Sequence, residues 1–426
     1  MDIPRYQSAA DFLDRFNRSM VFSDKLTETV QSIIQEVRST GDKALLEFTS
    51  RFDGADRASV KATQEDWAQI DDVPDHVKEL SSQAAKNIRA FHEREFEELN
   101  SWDLPFGNGR VGQRVKPIRR AGVYVPGGKA AYPSSVLMNV IPAQVAGVPE
   151  IVLVSPPSRE TGLVNDSVMA IAELLDVTEI FAIGGAQAIG ALAYGTETIE
   201  PVDKITGPGN QYVNEAKRQV FGQVGIESLA GPSEILVFAD ESGNPDYIAA
   251  DLLSQAEHDE QARAILVSTD DMLIEETARA LTEQLAQLPR KEIAEKSIAE
   301  QGGLIKVDDL SEGMELVNYI APEHLELQLK DAETALEEIY SAGAVFMGHF
   351  TPEPVGDYWA GSNHILPTAG AARYASALSV RDFVRFTSVI EFEKSTLAKE
   401  GNAVARFARL EGLEAHARSV DIRTKG

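Results

Sequence analysis

Gln255 and His258 stand about one helical turn apart in Ser254-Gln255-Ala256-Glu257-His258-Asp259. The stretch continues the run from Ile248 to Leu253 without Pro or Gly, so it reads as helix and puts Gln255, His258 and Asp259 on one face. An imidazole flanked by oxygen donors is the beginning of a divalent-metal site, since zinc accepts N and O ligands at about 2.0 to 2.2 Å. Two ligands do not complete a site. A lone histidine on a helix also serves as satisfied structure, so further donors must come from elsewhere in the chain.

Ile320-Ala321-Pro322-Glu323-His324-Leu325 sets an acid and a base side by side. Pro322 discourages helix just before them and predicts an irregular turn from which both can face a cleft. A histidine titrating near neutrality suits removal of a hydroxyl proton, and an adjacent carboxylate suits activation of water. A solvated pair is the plainer alternative. Gly348 to Ala372 is the longest irregular stretch and carries Asp357 and His364. Long loops inside compact enzymes are often functional, although His364 beside Asn363 also fits turn chemistry. His76 and His92 fall in or near a charged helix expected over Val77 to Asn100, where both read as solvated.

The elements around these residues alternate. Leu26, Val30, Ile33, Ile34 and Val37 recur at helical spacing, and Gly41-Asp42 stops that helix and starts the next. Arg110 to Val115 reads as an edge strand. From Gly122-Val123-Tyr124-Val125-Pro126-Gly127-Gly128 onward, apolar strands such as Ile151–Val154, Ile180–Ile183, Glu234–Phe238 and Ala264–Val267 are separated by amphipathic helices. This is the pattern of a doubly wound parallel sheet, whose ligands sit at the carboxyl ends of the strands. Two glycine turns open helices at such ends, Gly184-Gly185-Ala186-Gln187 and Thr206-Gly207-Pro208-Gly209-Asn210. They suit phosphate or nucleotide as well as bare turn chemistry, and neither is a G-x-G-x-x-G. The chain is expected to close with helices over Phe383 to Arg409 and Leu413 to Val420, the latter carrying His416.

Composition narrows the chemistry. The 426 residues include no cysteine, which excludes disulfides, iron–sulfur clusters and thiolate zinc and leaves His, Asp, Glu or neutral oxygens as metal ligands. A net charge of −27 repels phosphate backbones and argues against nucleic acid as a partner. With 43% hydrophobic residues and no apolar run of membrane-spanning length, a soluble protein of two or three domains is expected. Nothing at Met1 to Tyr6 reads as a secretory signal, and the expected location is the cytoplasm.

Taken together, the Gly122–Gly128 and Gly184–Ala188 segments, Gly207-Pro208-Gly209-Asn210, Ala230-Gly231-Pro232-Ser233-Glu234, Ser254–His258 and Pro322-Glu323-His324 resemble the histidinol dehydrogenase family over essentially the whole chain. The resemblance implies two related, incomplete Rossmann-like α/β domains with helical terminal extensions. It implies oxidation of L-histidinol to L-histidine through the aldehyde, with one zinc per subunit and NAD. Its zinc ligands correspond to Gln255, His258, Asp357 and His416. Substrate contacts correspond to those residues with Ser233, His324, His364 and Glu411, NAD contacts to Tyr124, Gln187 and Asn210, and the acid–base pair to Glu323 and His324. His349 has no role in that pattern and keeps a structural reading. The family also implies a homodimer whose sites borrow Glu411 and His416 from the partner chain. The expected division is residues 1–24 as an N-terminal extension, 25–120 with 234–375 as the zinc domain, 121–233 as the NAD domain and 376–426 as a dimerisation arm.

Overall fold

The computed structural model describes residues 3–17, 22–127 and 133–424. Gly128, the last residue of the first glycine motif, lies outside them. In chain order the strands are β1 (Arg5–Tyr6), β2 (Trp102–Phe106), β3 (Gly109–Pro117), β4 (Arg120–Tyr124), β5 (Glu150–Val154), β6 (Glu179–Phe181), β7 (Lys204–Thr206) and β8 (Gly225–Ile226). They continue with β9 (Glu234–Ala239), β10 (Arg263–Ser268), β11 (Gly303–Lys306), β12 (His324–Gln328), β13 (Ala344–Met347) and β14 (Val384–Glu391).

Two parallel sheets carry the molecule, one ordered β6-β5-β4-β7-β8 and the other β1-β11-β10-β9-β12-β13. Their central strands are buried end to end, as expected of apolar runs covered by helices on both faces. This is the doubled α/β architecture expected from the alternation and the resemblance. Helices Asp24–Thr40 and Asp75–Glu97 come from the segment expected to join the zinc-side domain. Their apolar residues Val30, Ile34 and Ile88 share cores with Val152, Val154 and Val123 of the five-stranded sheet.

The third sheet, β14-β3-β2, is antiparallel. Here two expectations are corrected. The Arg110–Val115 strand is central rather than at an edge, because β14 covers its second side. The terminal helix expected from Phe383 begins only at Lys394, since Val384-Arg385-Phe386-Thr387-Ser388-Val389-Ile390 is rich in β-branched and aromatic residues and pairs with β3 over its full length. After it, helices Lys394–Leu410 and Glu414–Thr424 pack against each other as an arm.

Candidate active site

The six-stranded sheet sets the acid–base pair. Pro322 and Ala321, the latter in the left-handed region at φ 53°, end the preceding helix, and the chain then enters β12 at His324. His324 therefore belongs to a strand and not to the irregular turn expected, because β9 and β13 flank it in register with Ile235 and Ala344. Its Nδ1 lies 3.0 Å from the Glu234 carbonyl oxygen. A carbonyl only accepts, so Nδ1 carries the proton and the lone pair of a neutral ring sits on Nε2. Nε2 faces Glu353 and Asp357 at 3.7 Å each and has no hydrogen-bond partner among the described residues.

Glu323, also buried, accepts the Glu234 N–H at 2.8 Å and lies 3.6 Å from His324 Nδ1. Burial pushes its carboxyl up to about 7 against the pull of His324. For His324, burial would depress the imidazole, but Glu323, Asp357 and Glu353 together lift it to about 10. The carboxylates win because three lie around one ring.

Asp357 comes from helix Glu353–Tyr358, a piece of regular structure inside the segment read as irregular. Spacing of four residues puts Glu353 and Asp357 on one face, and each offers an oxygen to a group in which the His324, Glu353 and Asp357 ligand atoms lie within 4.8 Å of one another. The Asp357 carbonyl accepts from His364 Nδ1 at 3.2 Å. Burial holds the His364 ring below its usual value, and Asp357 opposes that shift. Asp357 and His324 also act on His258, so the four groups form one electrostatic cluster.

The Pro245–Ala256 helix stops one residue after Gln255, with Glu257 as its cap. His258 is thus beyond the helix, at an exposed rim, and Asp259 is exposed as well, which corrects the expectation of a single helical face for all three. Gln255 is buried and its Oε1 has no hydrogen-bond partner among the described residues. A buried amide oxygen without a partner costs stability, so the position fits a donor to a bound cation. Ser233, half-buried, precedes β9 and accepts the Arg263 N–H through its carbonyl. Glu411 and His416 are exposed on the terminal arm, where the His416 carbonyl accepts from Ser419 Oγ at 2.8 Å within its own helix.

On the other sheet, Tyr124 closes β4 and its hydroxyl accepts the Gly185 N–H at 3.1 Å. Burial pushes that hydroxyl up to about 12, so it stays protonated. Gln187 is buried with both amide atoms unpaired among the described residues. Asn210 caps helix Gln211–Val220, accepting from Tyr212 and Val213 N–H groups.

Comparison with known proteins fits this geometry. The histidinol dehydrogenase family model matches residues 16–424. The chain belongs to the histidinol dehydrogenase family. It is 51% identical to the histidinol dehydrogenase of Halalkalibacterium halodurans over 94% of each chain, and 50% identical to that of Bacillus subtilis over 95% of this chain and 94% of the relative. The crystal structure of histidinol dehydrogenase from Elizabethkingia anophelis superposes with a TM-score of 0.94 at 37% identity, covering 99% of this chain and 98% of that one. Membership makes the chain an oxidoreductase; Glu323 and His324 lie at the amino end of β12, not at a carboxyl strand end where the doubly wound pattern led a ligand to be expected.

Three buried carboxyl groups of this site escaped the sequence reading: Glu353, and the Asp251–Glu326 pair bridged by Gln328 Nε2 at 3.1 Å from each. Glu353 was legible as the residue four before Asp357 and Asp251 as the one four before Gln255, once those helices were granted. His92, read as solvated, is fully buried and bonds Glu95 through Nδ1 at 2.6 Å. Its Nε2 meets the Asn363 amide at 3.4 Å, tying the helix to the residue before His364. His349 approaches the Ser242 hydroxyl at 3.4 Å, in keeping with its structural reading.

Proposed function

We propose that the chain is a zinc- and NAD-dependent histidinol dehydrogenase that oxidises L-histidinol to L-histidine in two steps through L-histidinaldehyde, in histidine biosynthesis in the cytoplasm. The observation that carries the reading is the buried Glu323–His324 pair, with Glu323 near 7 and the unpaired Nε2 of His324 turned to Asp357. An alcohol releases hydride only as its hydroxyl proton leaves; His324 would take that proton at Nε2 once Asp357, one of the carboxylates that lift it to about 10, is engaged by the zinc, and NAD, when bound, would supply the hydride acceptor. The aldehyde has no second hydride to give until water adds. Glu323 takes the proton of that water, and a carboxyl poised near 7 is matched to the task at neutral pH. Holding the aldehyde in place between the steps keeps a reactive intermediate from escaping.

Gln255, His258 and Asp357, with His416 of a second copy, would hold the zinc. The unpaired Gln255 oxygen and a donor set of N and O atoms suit that ion in a chain without cysteine. When bound, zinc supplies a Lewis-acid clamp that orients the amino alcohol. Ser233, His364 and the second copy's Glu411 complete the substrate contacts in this reading. Tyr124, Gln187 and Asn210 receive NAD, and the two unpaired amide atoms of Gln187 support that assignment. A homodimer with shared sites gives the exposed arm residues Glu411 and His416 a role in a second copy's site. No helix among the described residues is long and apolar enough to cross a membrane.

The test is absorbance of reduced nicotinamide on mixing the protein with NAD and a panel of small alcohols, before and after chelation. Two NADH per L-histidinol, lost on chelation and restored by zinc, is the expected result. Hydrolysis of a substrate with no NAD consumed would replace the reading with that of a zinc hydrolase. His258→Asn should lose metal and activity together while keeping the fold, and full activity without bound metal would remove zinc from the scheme.

A further inference from the structure

The turn after β7 is held from both sides by a buried ion pair. Lys217, on helix Gln211–Val220, and Glu227, just past β8, have side chains 1% and 6% exposed and meet at 2.6 Å. Lys217 Nζ also donates to the Gly207 carbonyl at 2.5 Å, and Glu227 Oε1 accepts the Gly207 N–H at 2.8 Å. One peptide unit on each side of Gly207 is thus gripped by a full charge. Gly207 itself sits at φ +117°, and a Cβ there would come within 2.0 Å of the Tyr124 carbonyl oxygen. The backbone of this turn therefore runs against the end of β4 in a conformation that glycine alone adopts easily. Thr206, the last residue of β7, is buried and leaves its Oγ1 without a partner among the described residues, as Gln187 leaves both amide atoms.

A buried ion pair is a poor device for stability, because the cost of taking both charges out of water rivals their attraction. What it does supply is a fixed geometry for whatever it hydrogen-bonds. We propose that Lys217 and Glu227 are positioning residues for the dinucleotide: the pair locks the Gly207-Pro208-Gly209-Asn210 turn in the conformation that receives NAD, without touching it. This rests on the NAD reading above. Neither residue belongs to the acid–base or metal sets, so the pair sets cofactor affinity and leaves the alcohol's chemistry alone.

The experiment compares the zinc-loaded unmodified protein with Lys217→Met/Glu227→Gln, which removes both charges together and leaves no unpaired buried ion. The conservative variant Glu227→Asp, which keeps the charge beside Lys217 but shortens its reach to the Gly207 N–H, guards against misfolding of the double variant. Two readouts are taken: NADH affinity by nicotinamide fluorescence, and amide hydrogen exchange of the 205–213 segment in protein without dinucleotide. The double variant should exchange faster at that segment, with the six-stranded sheet unchanged, and bind NADH about tenfold more weakly, a loss of about 1.4 kcal/mol. Its KM for the alcohol and its kcat at saturating NAD should stay within about twofold, and Glu227→Asp should fall between it and the unmodified protein. Unchanged NADH affinity would overturn the inference, as would equal losses for NADH and alcohol accompanied by faster exchange throughout. If the unmodified protein neither binds NADH nor reduces NAD, the NAD reading falls and takes this inference with it, whereas a defect confined to the variants leaves that reading standing.

Discussion

Glu323 and His324 are neighbours in sequence but face different partners, since His324 starts β12 while Glu323 precedes it and turns to the Glu234 N–H. That separation supports a division of labour. Glu323→Gln is expected to spare oxidation of L-histidinol to the aldehyde and to slow oxidation of supplied aldehyde by about two orders of magnitude, because only the second step needs activated water. Stopped-flow measurement of each half-reaction checks it, and equal losses in both would reassign Glu323. Asp251 and Glu326 make a second, silent pair. Burial raises both carboxyls above their ordinary range, and the neighbouring Asp251 adds to the rise at Glu326. A raised carboxyl keeps its proton in the folded chain after the unfolded chain has released it. Its stabilisation is therefore whole in acid and declines as pH rises through the raised range, by up to about 1.4 kcal/mol per pH unit. Asp251→Asn removes one of the two acids, so urea unfolding at about pH 5.5 and about pH 8.5 should show a shallower decline than in the unmodified chain. A parallel decline would mean that the pair does not hold the proton.

At the scale of elements, what was legible in the sequence was whatever period and punctuation report. The parallel strands β5, β6, β9 and β10 were visible as apolar runs between amphipathic helices, and a glycine turn marked the end of β6, whereas the start of β12 was read as an irregular turn. What failed depended on contacts distant in sequence. Val384 to Glu391 is a strand because β3, nearly 270 residues earlier, offers an edge, and no local period records that edge. His92 is buried because Asn363 lies across it, although the surrounding charges of its helix suggested solvent. The end of the Pro245–Ala256 helix was missed for a local reason, since Glu257-His258-Asp259 contains neither Gly nor Pro to announce it. Asn363 shows how such distant contacts position the site. Its amide donates to the Met138 carbonyl at 2.7 Å and its Oδ1 accepts the Ile365 N–H at 2.9 Å, bracketing His364. Asn363→Ala should cost about 2 to 4 kcal/mol, because two buried backbone groups lose their partner, and should raise KM for the alcohol several-fold. Urea denaturation and steady-state kinetics measure the two effects, and a change in stability alone would show that the bracket does not position His364.

The whole molecule presents an arm and a sheet that leave apolar surface uncovered in one chain: Trp102, Leu104 and Ile390 on the antiparallel sheet, Phe407, Leu410 and Ile422 on the terminal helices. A patch of that kind is characteristic of an interface, and a symmetric dimer would cover it while carrying His416 to a second site. The proposal makes a quantitative demand. His324→Ala and His416→Ala chains, each inactive alone, are unfolded together and refolded. Random pairing puts both defects in one site of the mixed dimer and none in the other, so about a quarter of the unmodified activity should return. If each site were built within one chain, activity would stay at the level of the separate variants. The pairing of β14 with β3 has a further consequence, for the chain while it is being made. The five-stranded sheet is assembled from residues 120–226 and can form early, but β3 waits for a neighbour whose first residue is Val384. At translation rates of about 5 to 20 residues per second, roughly fifteen to fifty seconds pass with that edge bare. A chain released in that interval would expose an open strand that invites aggregation, so the sheet is sealed only in polypeptides that have grown past Glu391.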